Sequence, residues 1–243
     1  MGIDPTYGQV INLPRATPPA AGPLPPPRPG RASLQEALPA RASDAAALGF
    51  VLSALPPGPR PVLWVQDRVS RLEAGRLYLP GRGKPRLSGP VIAVRVNHPR
   101  EALWALEEGA ACAGLAAVVG DIDGAAGVLD FTATKRLALR AELSGVPVWL
   151  IRRGGDRSLS AARERWQITA LPSSANPHDP SAPGLPRWRA ELFRARGRPP
   201  GIWVASHDPG AADPADRLRL VPDAGDGPLA EPVAPLPDAA LGG

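Results

Sequence analysis

Arg187, Arg189, Arg194, Arg196 and Arg198 crowd one short stretch of the chain, interleaved with Trp188, Phe193 and Trp203. A guanidinium makes paired hydrogen bonds to phosphate or carboxylate, and aromatic rings stack on bases. The combination therefore suits a nucleic-acid strand or an acidic protein surface. It also suits an amphipathic strand that buries its rings and solvates its basic face. On either reading these five arginines are the candidate contacts for a partner or for DNA.

Other residue types that do chemistry are sparse. Asp121 and Asp123 follow a short apolar run, and carboxylates at the end of a strand can hold a cation. In a stretch rich in Asp, Gly and Ala, however, a turn or helix cap is the ordinary fate of such residues, and that is the expectation here. His98 sits in Asn97-His98-Pro99 with no Ser, Cys or carboxylate partner in view and is expected in a solvated turn. His178 and His207 are read as loop residues. Cys112 is the single cysteine, which excludes an internal disulfide and a cysteine metal cluster, and it is expected to be buried in a helix. The phosphate loop G-x-x-x-x-G-K-[ST] needs glycines to free backbone amides, a lysine for charge and a hydroxyl for magnesium. It occurs nowhere intact. No nucleophile, base and orienting group come together. No catalytic residue, metal ligand or cofactor site is assigned.

The elements that must position these residues alternate between helix and strand. Ala42 to Leu55 has apolar residues at helical spacing, with Ser43 or Asp44 as N-cap, and ends at Pro56-Pro57-Gly58-Pro59. Val62 to Val65 is a short apolar run, expected as a strand covered on both faces. Residues 68–90 read as a loop, and Val91 to Val96 as the next strand. Pro99 opens a helix to about Cys112, with Glu101 in its first turn and Leu103, Leu106 and Ala110 inward. Leu115 to Val119 is a strand, Thr132 to Leu143 a helix stopped by Ser144-Gly145, and Val148 to Ile151 a strand. Such alternation implies right-handed crossovers and a parallel sheet. Beyond Arg152 the style changes. Arg163 to Ala170, Arg187 to Arg196, Ile202 to Ala205 and Leu218 to Val221 read as an antiparallel meander on the sheet's edge.

Composition frames this picture. The chain has 243 residues, 44% apolar, enough for one substantial core. With 33 Pro and 26 Gly it nears the range of low-complexity segments, and the prolines concentrate at the ends. Residues 1–30 and 223–243 are expected as disordered tails, flanking an α/β core over 31–155 and an antiparallel β extension over 156–222. The formal charge is +5, and of 28 basic side chains all but Lys84 and Lys135 are arginine. No run approaches the roughly 18 apolar residues of a membrane span, and the N-terminus lacks the pattern of a signal peptide. A cytoplasmic protein with no membrane partner is expected.

The segment from Asn97 to Arg153 resembles RecA in its order of elements. The chain as a whole resembles the ImuA family of inducible-mutagenesis proteins. This likeness is carried by Arg76 to Gly81, Glu101-Ala102-Leu103-Trp104-Ala105-Leu106-Glu107-Glu108, Leu115 to Gly120, Leu129 to Leu139, Ser160 to Trp166 and Pro186 to Leu192. It implies a RecA-like, mostly parallel sheet flanked by helices. It also implies a role in error-prone translesion synthesis and DNA repair during the SOS response, beside an ImuB-like polymerase homologue and a DnaE-type polymerase. DNA is a further partner to consider. Placed by this resemblance, the phosphate loop would be Pro39 to Ala46. There Pro39 has no amide proton, Asp44 is negative, and Ala45 and Ala46 offer neither ammonium nor hydroxyl. The magnesium-holding carboxylate would fall at Gly120, and Asp67 is the one acid near the position of the water-activating glutamate. The resemblance thus implies a non-enzymatic accessory protein without a cofactor. A SulA-type inhibitor of cell division, or a weak NTPase using Asp121 and Asp123, is the alternative.

Overall fold

The computed structural model describes residues 32–77, 89–124, 127–155, 157–208, 210–211 and 217–223. The tails expected over 1–30 and beyond 223 lie outside the described residues. In chain order the elements are β1 (Leu34–Pro39), α1 (Ala46–Ala54), β2 (Val62–Gln66), α2 (Arg68–Ala74), β3 (Val91–Arg95), α3 (Pro99–Ala110), β4 (Ala117–Asp123), α4 (Phe131–Ser144), β5 (Val148–Arg153), β6 (Glu164–Leu171), β7 (Arg187–Ala195), β8 (Gly201–His207) and β9 (Leu218–Pro222).

All nine strands form one sheet in the order β3-β2-β4-β5-β1-β6-β7-β8-β9. Pairings from β3 through β6 are parallel, and those from β6 to β9 are antiparallel. The α/β class, mostly parallel with antiparallel strands toward the C-terminus, is the architecture the alternation implies. One detail differs. β6 lies parallel to β1, with Glu36 beside Arg165, so antiparallel pairing starts at β7 rather than with the first strand after residue 156.

Side chains on a strand alternate between faces, which divides the core in two. On one face α1 packs Ala47, Phe50 and Val51 against Trp64, Trp149, Ile151 and Trp166. Phe50 stands at the centre, with ring centroids 6.1 Å from Trp149, 5.5 Å from Trp166 and 6.4 Å from Trp188. Edge-to-face and tilted contacts of this kind add to the gain from burying the rings. A Cβ at Gly49 would lie 2.7 Å from the Trp188 ring, so the missing side chain lets β7 approach α1. On the opposite face α3 and α4 bury Leu103, Leu106 and Leu137 against Val65, Val118, Ile122 and Leu150.

Helix ends follow the local sequence. Asp130 caps α4 by accepting from the Ala133 amide at 2.7 Å, and Gly145 closes it at φ +78°, a left-handed value that disfavours other residues. Asp67 caps α2 in the same way through the Ser70 amide at 2.7 Å. This short helix occupies the start of a stretch expected as loop, while residues 78–88 of that stretch lie outside the described residues. The helix expected from Ala42 begins at Ala46, where the amide donates to Asp44 Oδ1 at 2.8 Å. Cys112 is exposed just beyond α3 instead of buried within it.

Candidate functional site

In open α/β sheets ligands collect beyond the carboxyl ends of the parallel strands. Here that edge is crossed by ion pairs. β4 does not stop at Val119 but continues through Asp123, so Asp121 is a strand residue and the expected turn is absent. Longer pairing with β5, through Ile122 beside Arg152 and Asp123 beside Arg153, accounts for the extension. Asp121 faces the α1 side and is 1% exposed. Its Oδ1 accepts from Arg153 Nε at 2.6 Å, and its Oδ2 accepts from Arg153 Nη2 at 3.3 Å and from Gln66 Nε2 at 3.0 Å. Burial pushes the Asp121 carboxyl above its ordinary range, the Arg153 hydrogen bond and charge and the Gln66 amide pull it down, and the nearby Asp67 adds to the rise.

Arg153 also fixes the β1–α1 loop. Its Nη1 donates to the carbonyl oxygens of Ala42 at 2.7 Å and Asp44 at 3.1 Å. A loop that cradles phosphate turns its amides inward. This one presents the Ala42 and Asp44 carbonyls to Arg153, and two of its amides are engaged within the protein: Ala40 donates to the Ile168 carbonyl at 3.0 Å and Asp44 to that of Arg41 at 2.9 Å. The delayed start of α1 has the same cause, since Ala42 and Asp44 are held in turns by the guanidinium. Asp67, fully buried, uses both oxygens as well; Oδ2 accepts from the Asp123 amide at 2.8 Å. Among the described residues no three His, Cys, Asp or Glu side chains converge as metal ligands.

Gly120 does not occupy the crevice. It faces α3, where an added Cβ would lie 2.8 Å from Leu106 and 3.0 Å from Leu150. A carboxylate at that position would point into the helix–sheet interface. The crevice-facing position on β4 is Asp121, one residue further on.

Because side chains alternate, Arg152 points to the other face and meets a second carboxylate. Glu36, fully buried on central strand β1, accepts from Arg165 Nε at 2.6 Å and Ser160 Oγ at 2.6 Å, with Arg152 Nη1 at 3.4 Å. Arg165 continues to the Ser158 carbonyl at 2.7 Å, and its guanidinium lies 5.0 Å from the centre of the Phe193 ring. Neighbouring residues of β5 thus tie the sheet together on both sides. A hydrogen-bonded pair of this kind is strongly destabilising to break from one side, since an uncompensated buried charge remains.

The structure disperses the five arginines. Arg187 and Arg189 alternate with the buried Trp188 and Ala190 on the open face of the antiparallel strands. Arg189 has acidic neighbours, with Asp223 at 3.6 Å. Arg194 and Arg196 are exposed near the end of β7, and Arg198 pairs with Glu164 at 2.9 Å. Trp188 and Trp203 are core residues at 5% and 0% exposure, so neither ring is presented for stacking. Phe193 lies under Arg157, 4.4 Å from its ring centre. His98 caps α3, where Glu101 Oε2 accepts from the Asn97 and His98 amides, and His178 lies in an exposed loop. His207 is not a loop residue: it ends β8 and is buried.

Fold and site together define an open α/β sheet protein whose strand-end crevice is closed by its own ion pairs. The chain is 37% identical over 163 residues to Protein ImuA of Caulobacter vibrioides, in strain NA1000 / CB15N and in strain ATCC 19089 / CIP 103742 / CB 15. The match covers 61% of this chain and 63% of each relative, a little under two thirds of their length. No family model matches the chain. The likeness supports membership of the ImuA family.

Proposed function

We propose that the protein is a non-catalytic accessory factor of damage-induced, error-prone DNA synthesis, acting beside an ImuB-like polymerase homologue and a DnaE-type polymerase. Likeness to ImuA supports the part in inducible mutagenesis. The observation that favours a non-catalytic role is Arg153, which lies against Asp121 and the loop carbonyls where a nucleotide's phosphates would need amides, a cation and a free hydroxyl. A weak NTPase built on Asp121 would first have to break that pair. Binding then falls to surfaces. Arg187 and Arg189, on the sheet face opposite α1, are suited to phosphate or carboxylate.

The test is genetic. In a strain deleted for its own copy, the wild-type chain is expected to restore damage-induced mutagenesis, and Arg187→Glu with Arg189→Glu to restore it poorly at equal protein level. Failure of the wild-type chain to complement would remove the reading. Full activity of the charge-reversed chain would remove only the surface assigned to it.

A further inference from the structure

The chain has six tryptophans. Trp64, Trp149, Trp166, Trp188 and Trp203 are 5% exposed or less, whereas Trp104 on α3 is 68% exposed. Singly exposed apolar side chains are ordinary, and it is their grouping around a concave surface that marks an interaction site. Trp104 borders a cleft of about 580 Å³ between α3 and the start of α4, lined also by Arg100 and Val128. A second cleft of about 500 Å³ adjoins it across Gly127 and Asp130, and its lining includes Phe131, Arg152 and Leu159. Phe131 and Leu159 are themselves 40% and 58% exposed.

The charges in these clefts are unequally engaged. Asp130 holds the Ala133 amide, and Glu107 accepts from Arg136 at 2.9 Å and lies 3.6 Å from Arg140. Arg100 is exposed and forms no ion pair with any described residue. Arg152 is only 3% exposed and pairs with Glu36 through Nη1 at 3.4 Å, while its Nε has no hydrogen-bond partner and the side chain lines the second cleft.

We propose that the paired clefts dock a segment of a partner protein that carries bulky apolar side chains and at least one carboxylate. The apolar groups cover Trp104, Val128, Phe131 and Leu159, and a carboxylate meets the exposed Arg100. A nucleic-acid strand suits the surface less. Its regular phosphates would run past Glu107 and Asp130, and Arg100 is an isolated cation among apolar groups instead of part of a continuous basic track. The inference stands on this face alone and does not depend on the role in mutagenesis.

The experiment is selection of a phage-displayed random peptide library on the full chain. A selected peptide, fluorescently labelled, is then titrated against wild type, Trp104→Ser, Arg100→Glu and the control Leu143→Ser, which changes an 88% exposed residue outside the clefts. Selected peptides are expected to combine Leu, Phe or Trp with Asp or Glu. Trp104→Ser should weaken binding at least about tenfold, the behaviour of a buried aromatic anchor. Arg100→Glu should weaken it by a similar factor, and Leu143→Ser should leave it unchanged. No enrichment, a basic consensus, unaltered binding by Trp104→Ser, or displacement of the peptide by an oligonucleotide would each overturn the proposal. So would a marked gain in affinity on deleting residues 224–243, which would make the chain's own tail the occupant.

Discussion

The carboxyl-end edge of the sheet has two sides, and they have opposite character. On the α1 side the buried Asp121, Arg153 and Gln66 satisfy one another at hydrogen-bond distance, and Arg153 ties them to the carbonyls of the β1–α1 loop. On the α3/α4 side the same edge leaves Trp104 in water and one nitrogen of Arg152 without a partner. Binding sites are concave and mostly apolar, with a few polar groups that fix orientation. By that criterion the α1 side is a fastening and the α3/α4 side is a receptor. Where an open α/β sheet fills the crevice on one side with its own side chains, function falls to the neighbouring surface.

The largest effect expected is from breaking the fastening. Arg153→Met leaves Asp121 buried without its counter-charge and should cost about 3–5 kcal/mol in urea unfolding. Asp121→Leu combined with Arg153→Met should recover most of that loss, as replacing both members of a buried pair often does. A single variant as stable as wild type would mean the pair contributes little. Next comes the tight packing behind the receptor side. Gly120→Ala forces a Cβ against Leu106 and Leu150 and should cost about 1–3 kcal/mol by the same measurement.

A smaller effect concerns pH. Burial raises the Glu164 carboxyl above its ordinary value, although Arg198 works against the rise. The folded protein then holds this proton more tightly than the unfolded chain. Its contribution to folding is greatest below the unfolded value and declines as pH rises through the raised folded value. The stability of wild type relative to Glu164→Gln should therefore fall with rising pH across the acid range, and a difference that rises would contradict the assignment. The smallest effect is expected from Trp104→Ser, which removes no core contact and should change stability by no more than about 0.5 kcal/mol. A large loss there would make the ring structural and weaken the contrast between the two sides.

Much of the fold is legible in the chain because apolar runs and their spacing are local signals. Val62 to Val65, Val148 to Ile151 and the inward stripe of α3 all read directly. β1 does not, although it is a central strand. Leu34–Pro39 carries Gln35, Glu36 and a terminal proline, which resemble a loop until Arg152, Arg165 and Ser160 are seen around Glu36. The same limit applies to the site. Asp121 looks like a turn residue because its partner Arg153 lies on another strand, after an intervening helix. A visible hint does exist: a carboxylate just after one apolar strand and two arginines just after the next. The arginine cluster shows the opposite failure. Closeness in sequence is divided by the alternation of β7 and by the pairing of Arg198 with Glu164.

The most direct test of the closed crevice is equilibrium binding of magnesium-ATP by the purified full chain, followed by calorimetry and by thermal melting. A ligand that binds only the folded state stabilises it by RT ln(1 + [L]/Kd) and so raises the melting temperature. With the crevice closed, no saturable heat and no shift in melting are expected at millimolar nucleotide. Saturable binding in the micromolar range, sensitive to Arg153→Met in a variant that remains folded, would contradict it.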